Sequence, residues 1–349
     1  MKITKRIEDT PRGEVAIYRM ENRHGGWAEV SALGAGIVGV GVPDREGKIE
    51  NVALAYEKAA DYICDGPCLG KCPGRYANRI AKGHLQIDGN VYQLAVNNGP
   101  NHLHGGPEGF QNQIWDSKEL KDGVEFTYHA KDGEEHYPGN LTVKAIYRWN
   151  DDNELTLKFE AESDADTVVN MTNHAYWNLD GADAGCALDH ELRMRASKWL
   201  PTDETLVPLG RLDLVEGTPM DFTQWKPVGR DIHEDFAALK YGKGYDNCWA
   251  LDGWEPGAYI EEAVELRSPK SGRKLTVSTD QPGVQIYTAN WMTGGSPNNR
   301  SGRPYEDYEG VAIEAQGFPD APNKPQFPSQ LLRKGERYER TITYRFTAE

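Results

Sequence analysis

The chain has 349 residues, and its 54 acidic and 39 basic side chains give it a formal net charge of −15. Because phosphate binding needs clustered Lys and Arg, this acidic balance argues against nucleic acid as a partner. Hydrophobic residues make up 38% of the chain, which excludes intrinsic disorder and predicts a globular protein with a large core.

The sequence offers no feature that predicts membrane insertion or export. Its longest apolar stretch, residues 33–42, contains ten residues, of which four are glycine. A spanning helix needs about 20 apolar residues. The first residues, MKITKRIEDT, carry charges where a signal peptide has its apolar region. Five sparse cysteines predict reduced thiols rather than a disulfide framework, so we expect a cytoplasmic protein that is not bound to a membrane.

Taken in chain order, the hydrophobic pattern predicts many strands and little helix. Helical periodicity is weak and is confined to residues 51–62 and 232–240. A hairpin is predicted where residues 85–87 and 91–96 flank Asp88-Gly89-Asn90. Strict alternation of apolar and polar residues, which is typical of half-solvated antiparallel strands, recurs in segments 124–130, 141–149, 155–162 and 341–346.

This pattern predicts an all-β fold, a large antiparallel β-sandwich with few short helices. The sequence has no repeat of fixed period and no Gly/Ser-rich linker, so residues 1–349 are predicted to form a single domain. Residues 318–332 have a proline at every third position from Pro319 to Pro328. We interpret this segment as an ordered connection rather than a polyproline ligand, because Phe318 and Phe327 offer core contacts.

Polar residues that interrupt apolar strand patterns are the candidates for chemistry. Arg, Asn, Gln and carboxylate side chains can hold sugar hydroxyls, and rings such as those of Trp177 and Trp291 can pack on a pyranose. A His that donates a proton and a Glu that accepts one form an acid–base pair near neutral pH. These residues lie in GRYANRI, NHLHGG, NMTNHAYWN, GYDN, GVQIY and AIEAQ, and they indicate acid–base chemistry on a polyol.

Three other functions could use the same residues. A non-catalytic carbohydrate-binding module would need the Arg, Asn and Trp side chains but no pair of proton-transfer groups. A glycoside hydrolase could use Glu314 and Asp246 as its two carboxylates. A metal enzyme could use His102, His104, His174 and Glu314, because His102 and His104 would share one face of a strand.

Cys64, Cys68 and Cys72 lie four residues apart in CDGPCLGKC, which raises the question of a metal centre. Known metal sites usually pair cysteines two residues apart or add a nearby histidine, and this segment does neither. Its glycines and prolines also make a regular helix with a common face improbable. We therefore expect no metal and no other cofactor.

The order and wording of eight segments extend the interpretation. From about residue 10 onward the chain resembles the aldose 1-epimerase (galactose mutarotase) family. The segments are GRYANRIAKGHLQIDG, NHLHGGPEGF, EEHYPGNLTV, VVNMTNHAYWNLDG, EGTPMDF, GYDN, PGVQIYTAN and EAQGFPDAPN. The resemblance implies the family's antiparallel supersandwich. It also implies cofactor-free interconversion of the α and β anomers of aldohexoses such as galactose and glucose, by a monomer or homodimer.

Matching the motifs residue by residue implies a role for each candidate. His174 resembles the general acid, Glu314 the general base, and His104 a second histidine near the ring oxygen. We expect neighbouring carboxylates to raise the pKa of His174 and so keep it protonated near neutral pH. The implied substrate-holding residues are Asn78, Arg79, Asp246 and Gln285.

Some residues beside these positions depart from the family pattern. Trp177 stands where Phe is common, Asn247 where His is common and Ala315 where Thr is common. None of these departures removes a proposed acid or base. Because Trp177 and Ala315 flank proposed site residues, we expect them to affect sugar specificity rather than activity.

Overall fold

A computed structural model describes residues 1–63 and 65–349, so Cys64 lies outside the described residues. Within this part of the chain, regular structure is almost entirely β, as predicted. No helix in it is long and apolar enough to cross a membrane. The helical pattern at 51–62 forms only a short 3-10 helix, and the pattern at 232–240 overlaps one α-helix. The helices are α1 (Ala237–Gly242) and the 3-10 turns Ala59–Tyr62, Ala81–Gly83, Phe110–Asn112, Glu134–His136 and Ala321–Asn323.

The first half of the chain contributes thirteen strands. They are β1 Lys2–Thr10, β2 Gly13–Glu21, β3 Trp27–Ser31, β4 Gly36–Pro43, β5 Ile49–Asn51, β6 Arg79–Ile80, β7 His84–Ile87, β8 Asn90–Gln93, β9 His102–Leu103, β10 Asp116–Leu120, β11 Gly123–Ala130, β12 Leu141–Trp149 and β13 Glu154–Ser163.

The second half contributes another thirteen. They are β14 Thr167–Val168, β15 Tyr176–Trp177, β16 Glu191–Met194, β17 Lys198–Trp199, β18 Asp213–Leu214, β19 Lys226–Pro227, β20 Asp246–Ala250, β21 Ile260–Arg267, β22 Arg273–Thr279, β23 Gly283–Tyr287, β24 Val311–Gln316, β25 Leu331–Leu332 and β26 Arg337–Ala348.

The strands pair antiparallel and form three large sheets. A nine-stranded sheet has the order β10-β11-β12-β13-β26-β22-β21-β16-β19. A six-stranded sheet has the order β15-β24-β23-β20-β17-β18, and a five-stranded sheet runs from β1 to β5 in sequence order. Three two-stranded sheets pair β6 with β9, β7 with β8, and β14 with β25.

The five-stranded and six-stranded sheets pack against the inner face of the nine-stranded sheet. Strands β3 and β4 contact β12 and β26. From the six-stranded sheet, the Trp177 ring lies 5.3 Å from that of Tyr344 and 5.4 Å from that of Phe346. One main hydrophobic core therefore draws residues from Val15 to Phe346. The antiparallel β-sandwich predicted from the alternation is confirmed, and the single domain stays a prediction.

Local predictions hold where alternation was strict. Along β13, Leu155, Leu157 and Phe159 are buried, whereas the residues between them reach the surface. The predicted hairpin is formed by β7 and β8, with Ile87 paired to Asn90. Its central residues Asp88 and Gly89 have φ of 48° and 85°, the left-handed conformation that a type I′ turn requires.

The proline-rich segment is an ordered connection, as predicted. Phe318 and Phe327 pack in a small cluster with Leu200 and Cys248. Strand β25, near the end of the segment, pairs with β14. These contacts fix both ends of the segment to the body of the protein.

Candidate active site

The six-stranded sheet brings three polar side chains to one face. Glu314 on β24 lies opposite Gln285 on β23, and Asp246 on β20 lies opposite Tyr287, two residues beyond Gln285. Since side chains alternate between faces with a period of two, Glu314, Gln285 and Asp246 point to the same side of the sheet. Register alone therefore gathers residues from three separate motifs.

The same alternation places His174 on this face of the sheet. Tyr176 on β15 pairs with Ala312, which lies two residues before Glu314, and His174 lies two residues before Tyr176. The His174 and Tyr176 rings are 4.9 Å apart between centroids. His174 Nε2 reaches Glu314 Oε1 at 3.6 Å, and the two side chains are 7% and 2% exposed.

Trp177 and Ala315 lie on the opposite face, so the interpretation that the Trp177 ring packs on a pyranose is wrong, and an effect of either residue on sugar specificity stays a prediction. Both are fully buried. Trp177 packs on aromatic residues of β26 in the core. Ala315 follows Glu314 along β24, and the alternation turns it away from the cleft.

A second group of residues reaches the site from the short β6–β9 ladder. Arg79 pairs with Leu103 in that ladder, and Asn78 and His104 lie at its end. The Asn78 N–H donates to His104 Nδ1 at 3.1 Å, and the His104 N–H donates to the Asn78 carbonyl at 3.1 Å. Both residues have positive φ, 63° for Asn78 and 53° for His104. These two hydrogen bonds hold the His104 ring against the main chain of Asn78.

The guanidinium of Arg79 connects the two groups. Its Nη2 lies 3.5 Å from Asp246 Oδ2, and its Nε donates to Asn98 Oδ1 at 3.2 Å. Gln285 Nε2 donates to Asp246 Oδ1 at 2.7 Å. Asp246 is thus held from both sides in a fixed orientation.

These residues surround a cleft of about 590 Å³. Six of the seven predicted site residues line it. The seventh, Gln285, does not line the cleft but is hydrogen-bonded to Asp246, which does. Trp291 also lines the cleft and is 59% exposed, which leaves an aromatic face open to a ligand. The predicted lining residues are Asn78, Arg79, His104, His174, Asp246 and Glu314.

Burial decides the electrostatics of the central pair. It raises the pKa of Glu314 well above the usual value, and the nearby Asp246 carboxylate raises it further. Burial also lowers the pKa of His174 to about 4, outweighing the attraction of Asp246. The expectation that neighbouring carboxylates raise the pKa of His174 is therefore wrong, because loss of hydration costs the imidazolium more than the carboxylate returns.

His104 is held as a neutral ring. Burial, with the adjacent His174, lowers its pKa well below the usual value. Its Nδ1 accepts the Asn78 N–H, so the proton of the neutral ring is on Nε2. His104 can therefore offer a hydrogen-bond donor to an oxygen in the cleft.

His102 lies outside this site, contrary to the metal alternative. Its ring nitrogens contact the Ala95 carbonyl at 2.7 Å and Tyr137 Oη at 2.6 Å, and it is fully buried. The left-handed backbone at His104 breaks the strand, so the two histidines do not share a face. Among residues 1–63 and 65–349, no group of three His, Cys, Asp or Glu side chains is arranged to hold a metal ion.

Sequence reasoning missed several residues of the cleft. Tyr176 and Tyr287 follow from period-two alternation with His174 and Gln285, so that signal was present. The Tyr287 ring lies 6.2 Å from that of His174. Asn98 and Cys68 line the cleft from loops, where no periodic pattern marks a residue's direction.

Comparison with known proteins identifies the class of enzyme to which this fold and this cleft belong. Residues 16–345 match the family model for aldose 1-epimerase. The chain belongs to the aldose 1-epimerase family, and it is an isomerase of the mutarotase type.

Relatives and solved structures are similar over nearly the full length. The chain is 38% identical to galactose mutarotase from Bos taurus over 319 residues, covering 91% of this chain and 90% of that protein. It is 35% identical to aldose 1-epimerase from Escherichia coli K12, covering 95% of each. The crystal structure of galactose 1-epimerase from Lactobacillus acidophilus is 30% identical with a TM-score of 0.84, covering 99% of this chain and 98% of that one.

Proposed function

We propose that this enzyme interconverts the α and β anomers of aldohexoses such as galactose and glucose by opening and reclosing the hemiacetal ring. Glu314 acts as the base and His174 as the acid. The observation that carries the proposal is the 3.6 Å separation of His174 Nε2 and Glu314 Oε1 in a polar cleft. The names of the relatives, galactose mutarotase and aldose 1-epimerase, support the choice of substrate class.

The separation suits the chemistry. The C1 hydroxyl and the ring oxygen are bonded to the same carbon, so an acid and a base that serve both oxygens must lie close together. Among the described residues, Glu314 Oε2 and His174 Nδ1 have no hydrogen-bond partner. A buried carboxylate oxygen without a partner is costly, which is consistent with a group reserved for a substrate.

The proton transfers balance between Glu314 and His174. In ring opening, Glu314 takes the C1 hydroxyl proton, the bond from C1 to the ring oxygen breaks as the carbonyl forms, and His174 protonates the ring oxygen. Rotation about the C1–C2 bond presents the other face of the carbonyl. Closure then reverses both transfers and gives the opposite anomer. The pair carries one proton throughout, so the steps require no metal or redox group.

The pKa directions fit this cycle. Burial favours the uncharged pair, a protonated Glu314 beside a neutral His174, which is the state that ring opening produces and ring closure needs. The opposite, charged state is needed for opening, and sugar hydroxyls that donate to the Glu314 carboxylate would stabilise it. A raised carboxyl pKa makes a stronger base, and a lowered imidazolium pKa makes a stronger acid.

The remaining residues hold the sugar. Arg79 and Asp246 present charged hydrogen-bonding groups to hydroxyls, and Asn78 lines the same wall. The Nε2–H of His104 donates towards the ring oxygen. Gln285 fixes Asp246 through its 2.7 Å hydrogen bond.

The test is optical rotation with pure α anomers. We expect the enzyme to accelerate the approach to anomeric equilibrium for glucose or galactose, with xylose and arabinose defining the preference. Treatment with EDTA should leave the rate unchanged. No acceleration for any of these sugars, or loss of activity that a divalent ion restores, would contradict the proposal. Release of sugar from aryl glycosides would favour the hydrolase instead.

A further inference from the structure

A fully buried ion pair lies beneath one wall of the cleft. The side chains of Lys71 and Asp65 are 1% and 0% exposed, and the Lys71 ammonium contacts Asp65 Oδ1. Lys71 Nζ also donates to the Tyr62 carbonyl at 2.7 Å and to Asn112 Oδ1 at 3.1 Å. The ammonium therefore has two hydrogen-bond partners in addition to its ion-pair contact with Asp65. Because desolvating two charges offsets much of their attraction, such a pair is poor evidence for stability alone and points to another role.

The segment that carries this pair, residues 65–72, also holds the backbone of His174. The His174 N–H donates to the Lys71 carbonyl at 2.8 Å, and the Gly70 N–H donates to the His174 carbonyl at 2.9 Å. This reciprocal pair of hydrogen bonds fixes the main chain of His174 against that of Lys71. A shift of residues 70 and 71 would shift the imidazole with them.

The outer part of the same segment contacts the cleft. Pro67 and Cys68 line it, and the Pro67 carbonyl accepts the Tyr176 hydroxyl at 2.8 Å. Tyr176 in turn packs on His174. Inside the segment, Asp65 Oδ2 accepts the Leu69 N–H at 2.8 Å. Asp65 therefore sets the shape of the turn, and the turn contacts His174 both directly and through Tyr176.

We propose that the Asp65–Lys71 ion pair positions His174 for proton transfer. This role rests on the proposed function, in which His174 is the acid. Neither Asp65 nor Lys71 touches the reacting atoms. They act through the turn of residues 65–72, whose directional bonds hold His174 near Glu314 more rigidly than apolar packing would.

The charge of the pair gives a second, independent signature. The positive charge of Lys71 contributes to lowering the pKa of His174. Removing that charge should raise the pKa, and removing the opposing charge of Asp65 should lower it. The titratable and charged groups that face His174 are Glu314, Asp246, His104, Tyr176, Tyr287 and Lys71.

The experiment compares Lys71→Met, Asp65→Asn and the double variant with a matched control pair. Lys226 and Asp231 form a similar buried pair, 2% and 12% exposed with Nζ 2.9 Å from Oδ2. They line a separate cavity of about 360 Å³. Because Asp231 also contacts Arg230 at 2.9 Å, Lys226→Met should report the cost of removing a buried ammonium without affecting the cleft. Anomerisation rate, KM, pH profile and melting temperature are measured for each variant.

We expect Lys71→Met and the double variant to lose about 10- to 100-fold in kcat with KM nearly unchanged, as for a misplaced catalytic group. The acidic limb of the kcat profile should move to higher pH in Lys71→Met and to lower pH in Asp65→Asn. Lys226→Met should lower the melting temperature and leave kcat and the profile unchanged.

Two results would overturn the proposal. One is a folded Lys71→Met enzyme with wild-type kcat and pH profile, because the pair would then be purely structural. The other is a wild-type rate in His174→Asn, measured alongside, which would remove the acid itself and identify the proposed function as the failure. If Lys71→Met does not fold, Asp65→Asn is the deciding variant, because it keeps the other two bonds of Lys71. The position of the acidic limb of its kcat profile then shows whether the proposal holds.

Discussion

The outer face of the nine-stranded sheet and the cleft face of the six-stranded sheet both carry many charged and polar side chains, but they treat them differently. On the outer face, Lys158 contacts Glu160 at 2.8 Å and Glu339 at 3.4 Å, and Lys144 contacts Glu125 at 3.3 Å. These side chains are partly exposed to water. In the cleft, Glu314 is 2% exposed and one of its oxygens has no partner among the described residues.

The difference shows where the protein keeps side chains that are unfavourable for folding. Exposed ion pairs on a strand contribute little and can be exchanged, because water solvates either partner. A buried, unpartnered carboxylate is unfavourable for folding unless it serves another purpose. Effects on activity and effects on stability should therefore separate between the two faces.

The largest effect is expected for Glu314→Gln. The amide keeps the shape but cannot accept the C1 proton, so kcat should fall by about 10²- to 10⁴-fold. Because folding raises the pKa of Glu314, the native state is penalised above the carboxyl's ordinary pKa, where the unfolded chain would ionise freely. The variant should therefore melt at or above the wild-type temperature at pH 8. Lower stability with normal turnover per folded molecule would show that Glu314 is structural.

A comparable effect on rate is expected for His174→Asn, and His102→Asn is its matched control. Burial lowers the pKa of both histidines to about 4, but only His102 has both ring nitrogens bonded. His102→Asn should lose about 1–3 kcal/mol of stability and keep its turnover per folded molecule. The double variant of His174 and Glu314 should lose far less than the product of the single losses, since the two act in one transfer. Equal rate losses in both histidine variants would contradict the separation.

The pH dependence should be unusually flat on the acidic side. A second proton on the pair removes the base, and that proton binds only as the pH falls through the lowered pKa of His174, about 4. We therefore expect kcat/KM to hold from neutral pH down to about 5 and to decline below that. Circular dichroism at each pH separates loss of activity from unfolding. A decline centred near pH 6.5 in folded enzyme would indicate a histidine with an ordinary pKa.

A moderate effect is expected for Arg79→Lys. An ammonium cannot keep the contacts that the guanidinium makes with both Asp246 and Asn98. Loss of one charge-assisted hydrogen bond costs about 1.5–3 kcal/mol, so kcat/KM should fall by about 10- to 100-fold. The melting temperature should change little. Unchanged kinetics would place Arg79 in a purely structural ion pair.

The smallest effect is expected for Lys144→Ala on the outer face. Its contact with Glu125 is partly exposed, so the free energy of unfolding should change by no more than about 1 kcal/mol. The anomerisation rate should equal that of the wild type. A large loss of activity from this variant would break the distinction between the two faces.

Much of the fold and of the candidate site could be predicted from the sequence. Alternation of apolar and polar residues predicted the antiparallel sheets, because a strand with one buried face repeats every two residues. The same period also indicated the directions of Trp177 and Ala315, and a stricter use of it would have assigned both to the core. Local motifs placed His174 and Glu314 within strand-like segments, and the register of β15, β24 and β23 brought them to one face.

The protonation state of His174 and Glu314 followed only from the tertiary structure. Whether a carboxylate raises the pKa of His174 or burial lowers it depends on how many atoms from distant segments exclude water from the ring. The Asn98 contact and the buried Lys71 likewise depend on loops that meet only in the folded chain. Strand periodicity is a local property that the sequence displays directly, whereas hydration is set by packing between segments far apart in the chain.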